Sequence, residues 1–229
     1  MKETTAKKKF MWNMAGSLCN SLSSMLLLII VNRISGESRG GFFALAYSTA
    51  QLLFSVGGFE IRPVQSTDIK NKFTFDQYFT SRMLNCIIML ICMIGYIVVN
   101  GYTGVEALTV FWILGYRMVE AVADVYSGLF QQRERIDISG KEMLMRSGIS
   151  TITFTIILWL TDNLLYAAMT LTLTSLVIML FYDLHMKKYF EPTPVHLEWR
   201  GILGIYNACW PLFLSSFFNV SYTHMTMPT

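Results

Sequence analysis

Five polar side chains recur at helical spacing inside an otherwise apolar stretch near the middle of the chain. They are Arg117, Glu120, Asp124, Ser127 and Gln131. A charge at the centre of a bilayer costs roughly 2.5–3.5 kcal/mol on insertion scales, so three charges facing lipid unpaired would cost about 8–10 kcal/mol. We therefore expect this stripe to face the interior of a helix bundle or a wet cavity, where transporters keep their working residues.

The position of each group along the helix indicates the chemistry it can do. Arg117 lies about 14 residues, so roughly 20 Å, from Gln131, which places it near the middle of the bilayer. A central guanidinium can hold an anionic phosphate through bidentate, charge-assisted hydrogen bonds. Glu120 and Asp124 lie nearer the cytoplasm and can bind a coupling H⁺ or Na⁺. The structural alternative is that Arg117 pairs with Glu120 at i+3 and Asp124 finds a partner on another helix.

Two other apolar stretches carry weaker polar stripes. The first contains Asn13, Ser17, Asn20 and Ser24, and the second contains Ser48, Gln51, Ser55 and Arg62. Small hydroxyl residues on a membrane helix usually let backbones approach closely, so packing is the favoured interpretation of the first stripe. As functional candidates, the two stripes add Asn13 and Gln51 to the substrate pathway.

Composition and the length of the apolar blocks predict an all-α, multi-pass membrane protein. Hydrophobic residues make up 53% of the chain and charged residues 14%, and a span needs roughly 20 mainly apolar residues. The predicted spans are 10–31, 41–61, 83–99, 105–130, 147–160 and 163–182, with a seventh from 201 to about 222. The domains are then a cytoplasmic N-terminus (1–9), a six-helix lobe (10–184), a cytoplasmic linker (185–200) and the first helix of a second lobe (201–229).

The distribution of basic residues predicts a cytoplasmic N-terminus, because short cytoplasmic loops collect Lys and Arg. In that orientation the inside segments hold Lys2, Lys7, Lys8, Lys9, Arg62, Lys70, Lys72, Arg82, Arg133, Arg135, Lys141, Arg146, Lys187, Lys188 and Arg200. The outside loops hold Arg33 and Arg39. A cleaved signal peptide is the alternative for the first stretch, but that stretch is too long, carries Asn13 and Asn20, and is followed by no small-x-small site.

No pattern in the sequence indicates catalysis, a metal site or nucleic-acid binding. The four cysteines fall in predicted spans without a C-x-x-C pair, and the three histidines share no ligand spacing. We find no phosphate-binding glycine loop, nucleophile elbow or zinc motif. The net charge of +3 comes from basic residues spread over four segments. We predict a protein that is not an enzyme and holds no cofactor or metal.

Several short motifs occur in a defined order along the chain. The strongest is Arg62-Pro63-Val64-Gln65-Ser66-Thr67-Asp68, directly after the second predicted span. The others are Asn13-x-x-Gly16-Ser17, Gly36-Glu37, Gly40-Gly41-Phe42-Phe43, the run from Asp124 to Gly140 with Gly128-Leu129-Phe130-Gln131-Gln132 and Asp137, and Trp210-Pro211. In order and spacing, up to about Ser221, they resemble the polysaccharide-export flippases of the multidrug/oligosaccharidyl-lipid/polysaccharide superfamily, which move O-antigen or capsule repeat units.

The resemblance implies that undecaprenyl-diphosphate-linked oligosaccharide repeat units move from the inner to the outer leaflet of the cytoplasmic membrane by alternating access. The lipid-linked oligosaccharide, the bilayer and the glycan polymerisation machinery are the implied partners. The implied roles are a central anion contact for Arg117, coupling-ion or gating groups for Glu120 and Asp124, and a cytoplasmic gate or headgroup contact for Arg62, Gln65 and Asp68.

Two departures accompany the resemblance. Val64 stands where the family has an aromatic residue, and the chain ends after one lobe and one further helix, with a tail that leaves the family pattern at Ser221. We therefore expect a truncated or frame-shifted product that lacks a second lobe of parallel orientation. Two alternatives remain open: a cation-coupled multidrug antiporter of the same superfamily, and a remnant that transports nothing.

Overall fold

A computed structural model describes residues 5–190 and 199–226, with side chains described up to residue 216. Within these ranges every regular element is a helix, which confirms the predicted all-α class. The helices are α1 (Ala6–Gly58), α2 (Ile61–Thr67), α3 (Phe75–Val99), α4 (Gly104–Gln132), α5 (Ile136–Thr161), α6 (Leu164–Ile178), a π-helical turn (Met179–Asp183), α7 (Leu184–Lys187) and α8 (Trp199–Thr226). Parts of the predicted N-terminal segment (1–4), linker (191–198) and last segment (227–229) lie outside the described residues.

The first two predicted spans belong to one kinked helix, α1, of 53 residues. At 1.5 Å per residue it is roughly 80 Å long, more than twice the roughly 30 Å of a bilayer's hydrocarbon core. The helix breaks at Gly36, whose backbone has φ 83° and ψ 170°, a conformation that a residue with a Cβ rarely adopts. The sequence predicted a loop over residues 32–40. Instead, the helix continues on both sides and a single glycine makes the turn.

Four segments are long and apolar enough to cross a membrane: α1, α3, α5 and the continuous segment Leu164–Lys187. α4 has 29 residues but is not among them. Any stretch of 18 residues in α4 contains Arg117, Glu120 and either Glu106 or Asp124, which is too much charge for a helix in contact with lipid. The chain is therefore a multi-pass membrane protein in which α4 must be surrounded by other helices.

α4 runs between two apolar cores and belongs to both. The first core contains Leu27, Val31, Phe43, Tyr47, Met93, Phe154, Leu158 and Leu171, and α4 adds Val110, Ile113, Leu114 and Tyr116. The second contains Ile61, Phe75, Tyr78, Ile138, Ile205 and Cys209, and α4 adds Val125, Tyr126, Leu129 and Phe130. The charged part of α4 lies between them, so the bundle has a polar layer enclosed by two apolar ones.

Two helices begin earlier than the hydropathy of the sequence indicated. α3 starts after Thr74, whose hydroxyl accepts from the Gln77 amide at 3.3 Å while Gln77 Oε1 accepts from the Thr74 amide at 3.0 Å. This is a capping box, which satisfies two amides at the helix end. α5 starts at Ile136, whereas the predicted span started at residue 147. Arg82 and Arg146, expected in cytoplasmic segments, are consequently inside helices and buried.

The last helix, α8, packs against α2 and α3. Its Tyr206 hydroxyl donates to Asn85 Oδ1 at 2.7 Å, and Phe213 stacks on Phe59 with ring centroids 4.5 Å apart. Ile205 and Cys209 are fully buried in the second core. The described part of α8 is therefore docked on the preceding helices by both polar and apolar contacts.

α1 and α5 cross at two glycines with their backbones in contact. A Cβ added at Gly16 would overlap the carbonyl oxygen of Gly140, and one added at Gly140 would overlap the carbonyl of Trp12. Small residues allow this kind of close backbone approach between membrane helices. The crossing holds the start of α5 against α1 and so helps to place Glu142 and Arg146.

Gly140→Ala is expected to lower the free energy of unfolding by about 1–3 kcal/mol, because the added methyl group must force two backbones apart. The measurement is the thermal unfolding midpoint of the purified protein in detergent. Gly95→Ala is the matched control, since a Cβ there meets nothing within 4 Å, and its midpoint should be unchanged or slightly higher because Ala favours helix over Gly. Equal midpoints for the two variants would contradict a tight crossing.

Candidate functional site

Asp124 of α4 binds two arginines that come from two other helices. Its Oδ1 accepts from Arg62 Nη1 of α2 at 2.9 Å, and its Oδ2 accepts from Arg82 Nη2 of α3 at 2.8 Å. Arg82 also donates to the carbonyl oxygen of Gly57 at 2.8 Å. The Arg82 side chain is 0% exposed and that of Arg62 is 28% exposed, so one cation is sealed in and the other is accessible.

One helical turn away, Arg117 and Glu120 form a buried ion pair on α4. The Arg117 Nη2 atom donates to the Tyr47 hydroxyl at 2.6 Å, and the guanidinium lies over the Tyr47 ring, 4.6 Å from its centroid. The Tyr47 hydroxyl in turn donates to Ser24 Oγ at 3.0 Å. Asn20 Nδ2 donates to Glu120 Oε1 at 3.0 Å. This pair is thus attached to both halves of α1.

α5 joins the same network through Arg146. Its Nε donates to Glu142 Oε1 at 2.6 Å, and its Nη2 lies 3.9 Å from Glu120 Oε1. Both Glu142 and Arg146 are buried. The Glu142–Arg146 pair lies within α5, and the Arg146–Glu120 pair is the ionic link from α5 to α4.

These groups line a polar cavity of about 320 Å³. Its walls are Asn20, Ser21, Ser24, Gln51, Phe54, Arg62, Arg117, Glu120, Asp124, Ser127, Met143 and Arg146. Three guanidinium groups and two carboxylates line the cavity, which gives the lining a net charge of +1. Each of these guanidinium groups is paired with a carboxylate: Arg62 with Asp124, Arg117 with Glu120, and Arg146 with Glu142, which lies outside the lining.

A larger and more apolar groove of about 750 Å³ shares a wall with this cavity. Ser21, Ser24, Gln51 and Arg117 line both. The groove continues between the two halves of α1, past Leu28, Ser48 and Ser55. Arg117 therefore lies where a small charged chamber meets a longer groove with hydroxyl groups along it.

The cavity brings together five of the eight residues predicted for the site: Gln51, Arg62, Arg117, Glu120 and Asp124. Asn13 is not part of its lining and lies instead at the α1–α5 crossing, where its backbone amide approaches Gly140. The predicted i+3 pair of Arg117 with Glu120 is confirmed, as is a partner for Asp124 on another helix.

Gln65 and Asp68 lie beside the cavity rather than in its lining. The Gln65 side chain is fully buried against Gly128, and neither its Oε1 nor its Nε2 has a partner among the described residues. Asp68 accepts from the amides of Lys72 and Phe73 at 2.8 and 3.0 Å and from the Tyr78 hydroxyl at 3.1 Å. Asp68 thus organises the turn between α2 and α3.

Sequence reasoning did not nominate Arg82, Arg146, Asn20 or Tyr47 for the site. Counting basic residues by loop assigned both arginines to the cytoplasm, because they lie next to the ends of the most apolar stretches. Two signals pointed elsewhere: the Thr74-x-x-Gln77 capping box starts a helix before Arg82, and Glu142 with Arg146 has the i,i+4 spacing of a helical ion pair.

Asp124→Asn is expected to destabilise the protein by about 3–5 kcal/mol, because it leaves the buried Arg82 guanidinium without its counter-charge. Unfolding of the purified protein in detergent, followed by heat or denaturant, measures the change. Asp162→Asn is the matched control: it breaks the exposed Arg39–Asp162 pair, and exposed pairs contribute about 1 kcal/mol or less. Similar small losses in both variants would contradict a structural role for the Asp124 pairs.

Comparison with known proteins places this geometry in a family. A family model described as "Polysaccharide biosynthesis protein" matches residues 6–227. The match continues past Ser221, where we expected the family pattern to end. No curated protein and no solved structure matches the chain. Members of the matched family are transporters rather than enzymes. Because the match covers nearly all of the sequence, the chain belongs to the polysaccharide biosynthesis protein family.

Proposed function

We propose that this protein moves undecaprenyl-diphosphate-linked oligosaccharide repeat units from the inner to the outer leaflet of the cytoplasmic membrane. In this proposal the two halves of α1 are two spans, and α3, α4, α5 and the continuous segment from α6 to α7 are four more. Together they form a six-helix lobe with the N-terminus in the cytoplasm, and α8 begins a second lobe. The translocated units then enter a surface polysaccharide such as an O-antigen or a capsule, through the glycan polymerisation machinery. No covalent bond is made or broken, so the step is transport by alternating access.

The observation that carries the proposal is the cavity with three guanidinium groups and two carboxylates in its lining, inside a membrane protein of this family. A diphosphate is the charged part of the substrate, and planar guanidinium groups bind phosphate oxygens in pairs through charge-assisted hydrogen bonds. Arg62, Arg117 and Arg146 all reach the cavity wall. A site of this charge favours an anionic headgroup over a cationic drug, which supports the flippase over the multidrug antiporter.

Arg62 is the arginine best placed to change partners. It shares Asp124 with Arg82 and is the more exposed of the two. When a phosphate takes Arg62, Asp124 still keeps the buried Arg82 as its counter-charge, so neither the carboxylate nor Arg82 is left unpaired. Arg117 then holds the anion deeper in the membrane, at the junction with the groove. In this order of steps, Arg62 binds the entering phosphate and Arg117 binds it at the central site.

The groove gives the glycan a path. Sugar hydroxyls both donate and accept hydrogen bonds, and the serine hydroxyls and Gln51 amide along the groove do the same. The apolar part of its wall, including Leu28 and Leu52, suits the sugar faces or the first isoprene units. In this proposal the polyprenyl tail stays in the bilayer while the headgroup crosses, and an H⁺ or Na⁺ gradient drives the cycle.

Arg117→Gln is expected to reduce export about tenfold or more, because a hydrogen bond to a charged group contributes roughly 1.5–3 kcal/mol and 1.4 kcal/mol is a factor of ten. The chain is produced in cells that lack their own repeat-unit flippase, and surface polysaccharide is measured at equal abundance of protein in the membrane. The lipid-linked precursor should accumulate in parallel. Arg39→Gln, an exposed arginine paired with Asp162, is the matched control and should export normally.

The outcomes separate the candidate functions. If Arg117→Gln exports as much polysaccharide as wild type at normal abundance, Arg117 is not the central anion contact. If the unaltered chain restores no export but gives resistance to cationic dyes, the antiporter is favoured instead. If it gives neither, the chain is a remnant without transport activity and the proposed function is wrong for this protein.

A further inference from the structure

Asp183 is a buried carboxylate for which the mechanism above has no use. It is the last residue of the π-helical turn Met179–Asp183, which interrupts the helical segment that α6 begins. Only 1% of the residue is exposed, and neither Oδ1 nor Oδ2 has a hydrogen-bond partner among the described residues. π-helical turns are rare and frequently lie at functional sites. A buried polar group without a partner costs free energy, so its presence needs a reason.

The titratable groups that interact electrostatically with Asp183 come from three elements. Glu142 and Arg146 of α5 and Tyr126 of α4 interact with it electrostatically, as does its neighbour Tyr182. Asp137, which also faces Tyr182, is held by Arg135 at 2.8 Å, and His185 is exposed. We define Glu142, Arg146 and Asp183 as the Asp183 cluster. Two other buried atoms of this cluster, Glu142 Oε2 and Arg146 Nη1, have no hydrogen-bond partner in the part of the chain that the structure describes.

The Asp183 cluster has one positive charge too few to be neutral. One guanidinium and two carboxylates leave a net charge of −1 when both carboxylates are ionised, and a single added proton makes the cluster neutral. Protonation also turns Asp183 from an acceptor into a donor. No three His, Cys, Asp or Glu side chains among the described residues come together to hold a metal ion.

We propose that Asp183 is a proton-binding site: its carboxylate takes up H⁺ to become a neutral carboxylic acid and releases the same proton when the bundle rearranges. As the coupling site of transport, this inference rests on the proposed function. As a protonatable group inside the bundle, it stands on the burial and the absent partners alone.

An electrostatic interaction with Arg146, followed by ion pairs, connects the proton site to the cavity. Arg146 interacts with Asp183, and its Nη2 lies 3.9 Å from Glu120 Oε1. Glu120 in turn pairs with Arg117. When Asp183 is ionised, its charge offsets Arg146, which also lines the cavity. Protonation of Asp183 removes that offset and makes the cavity more positive. The proton and an anionic headgroup therefore favour each other's binding, and by linkage the effect is reciprocal.

The first experiment tests the proton site without reference to transport. Infrared spectra of the purified chain in lipid nanodiscs are recorded as the pH is raised, and the stretching band of protonated carboxyl groups is followed. We expect a band that is present in wild type and in the exposed control Asp162→Asn and is missing from Asp183→Asn. Asp183→Glu keeps a carboxyl group and should shift the band rather than abolish it, so the assignment survives if the Asn variant folds poorly. A wild type without such a band, or an unchanged band in both Asp183 variants, overturns the inference.

The second experiment tests the coupling. Binding of a polyprenyl-diphosphate oligosaccharide is measured at acidic and alkaline pH, since its diphosphate diester keeps the same charge throughout. In wild type the affinity should be about five- to 150-fold higher at acidic pH, the usual range of coupling between two sites. In Asp183→Asn, which mimics the protonated acid, this difference should disappear and the affinity should stay high. Equal pH dependence in both proteins refutes the coupling. If no binding is seen in wild type while the infrared band is assigned to Asp183, the proposed function fails and the proton site stands.

Discussion

The pairing of two carboxylates on α4 with arginines from its neighbours is the interaction on which the bundle depends. Asp124 binds α2 and α3 through Arg62 and Arg82, and Glu120 reaches α1 through Asn20 and α5 through Arg146. Each of these charges would cost several kcal/mol if it faced lipid without a partner. Each pair therefore acts as a positional constraint: a helix that moved away would leave a charge behind in a medium that solvates it poorly.

The polar layer can change its side-chain contacts more easily than the two apolar cores can. Side chains in an apolar core interlock, so a shift of one helix costs many contacts at once. An arginine can leave its carboxylate for a newly bound anion without leaving a charge unpaired, provided that the carboxylate keeps a second arginine, as Asp124 keeps Arg82. The apolar cores can therefore stay packed while ion pairs in the polar layer between them change partners. The same arginines thus stabilise the bundle and, under the function proposed above, bind the anionic headgroup.

The sequence was most informative where charge and helical spacing act together. Arg117, Glu120 and Asp124 could be assigned to the interior from their cost in lipid, and the Arg117–Glu120 pair followed from its i+3 spacing. Arg82 and Arg146 could not be placed by hydropathy, because the helices that carry them start well before the apolar stretches do. Gly36 was expected in a loop, since the pattern of residue types cannot distinguish a loop from a kink confined to one residue. Asp183 was missed because what distinguishes it is burial without a hydrogen-bond partner among the described residues, which only the folded bundle reveals.

The charges of α4 also govern how the chain enters the membrane during synthesis. α4 is long enough to cross a membrane but carries more charge than α1, α3 and α5, so on its own it would tend to remain outside the lipid phase. By the time α4 has been synthesised, Asn20, Arg62 and Arg82 are already present in the preceding helices, and only Arg146 is still to come. Both counter-charges of Asp124 are therefore made before α4 itself, so we expect α4 to enter the membrane together with the helices that precede it rather than as an independent span.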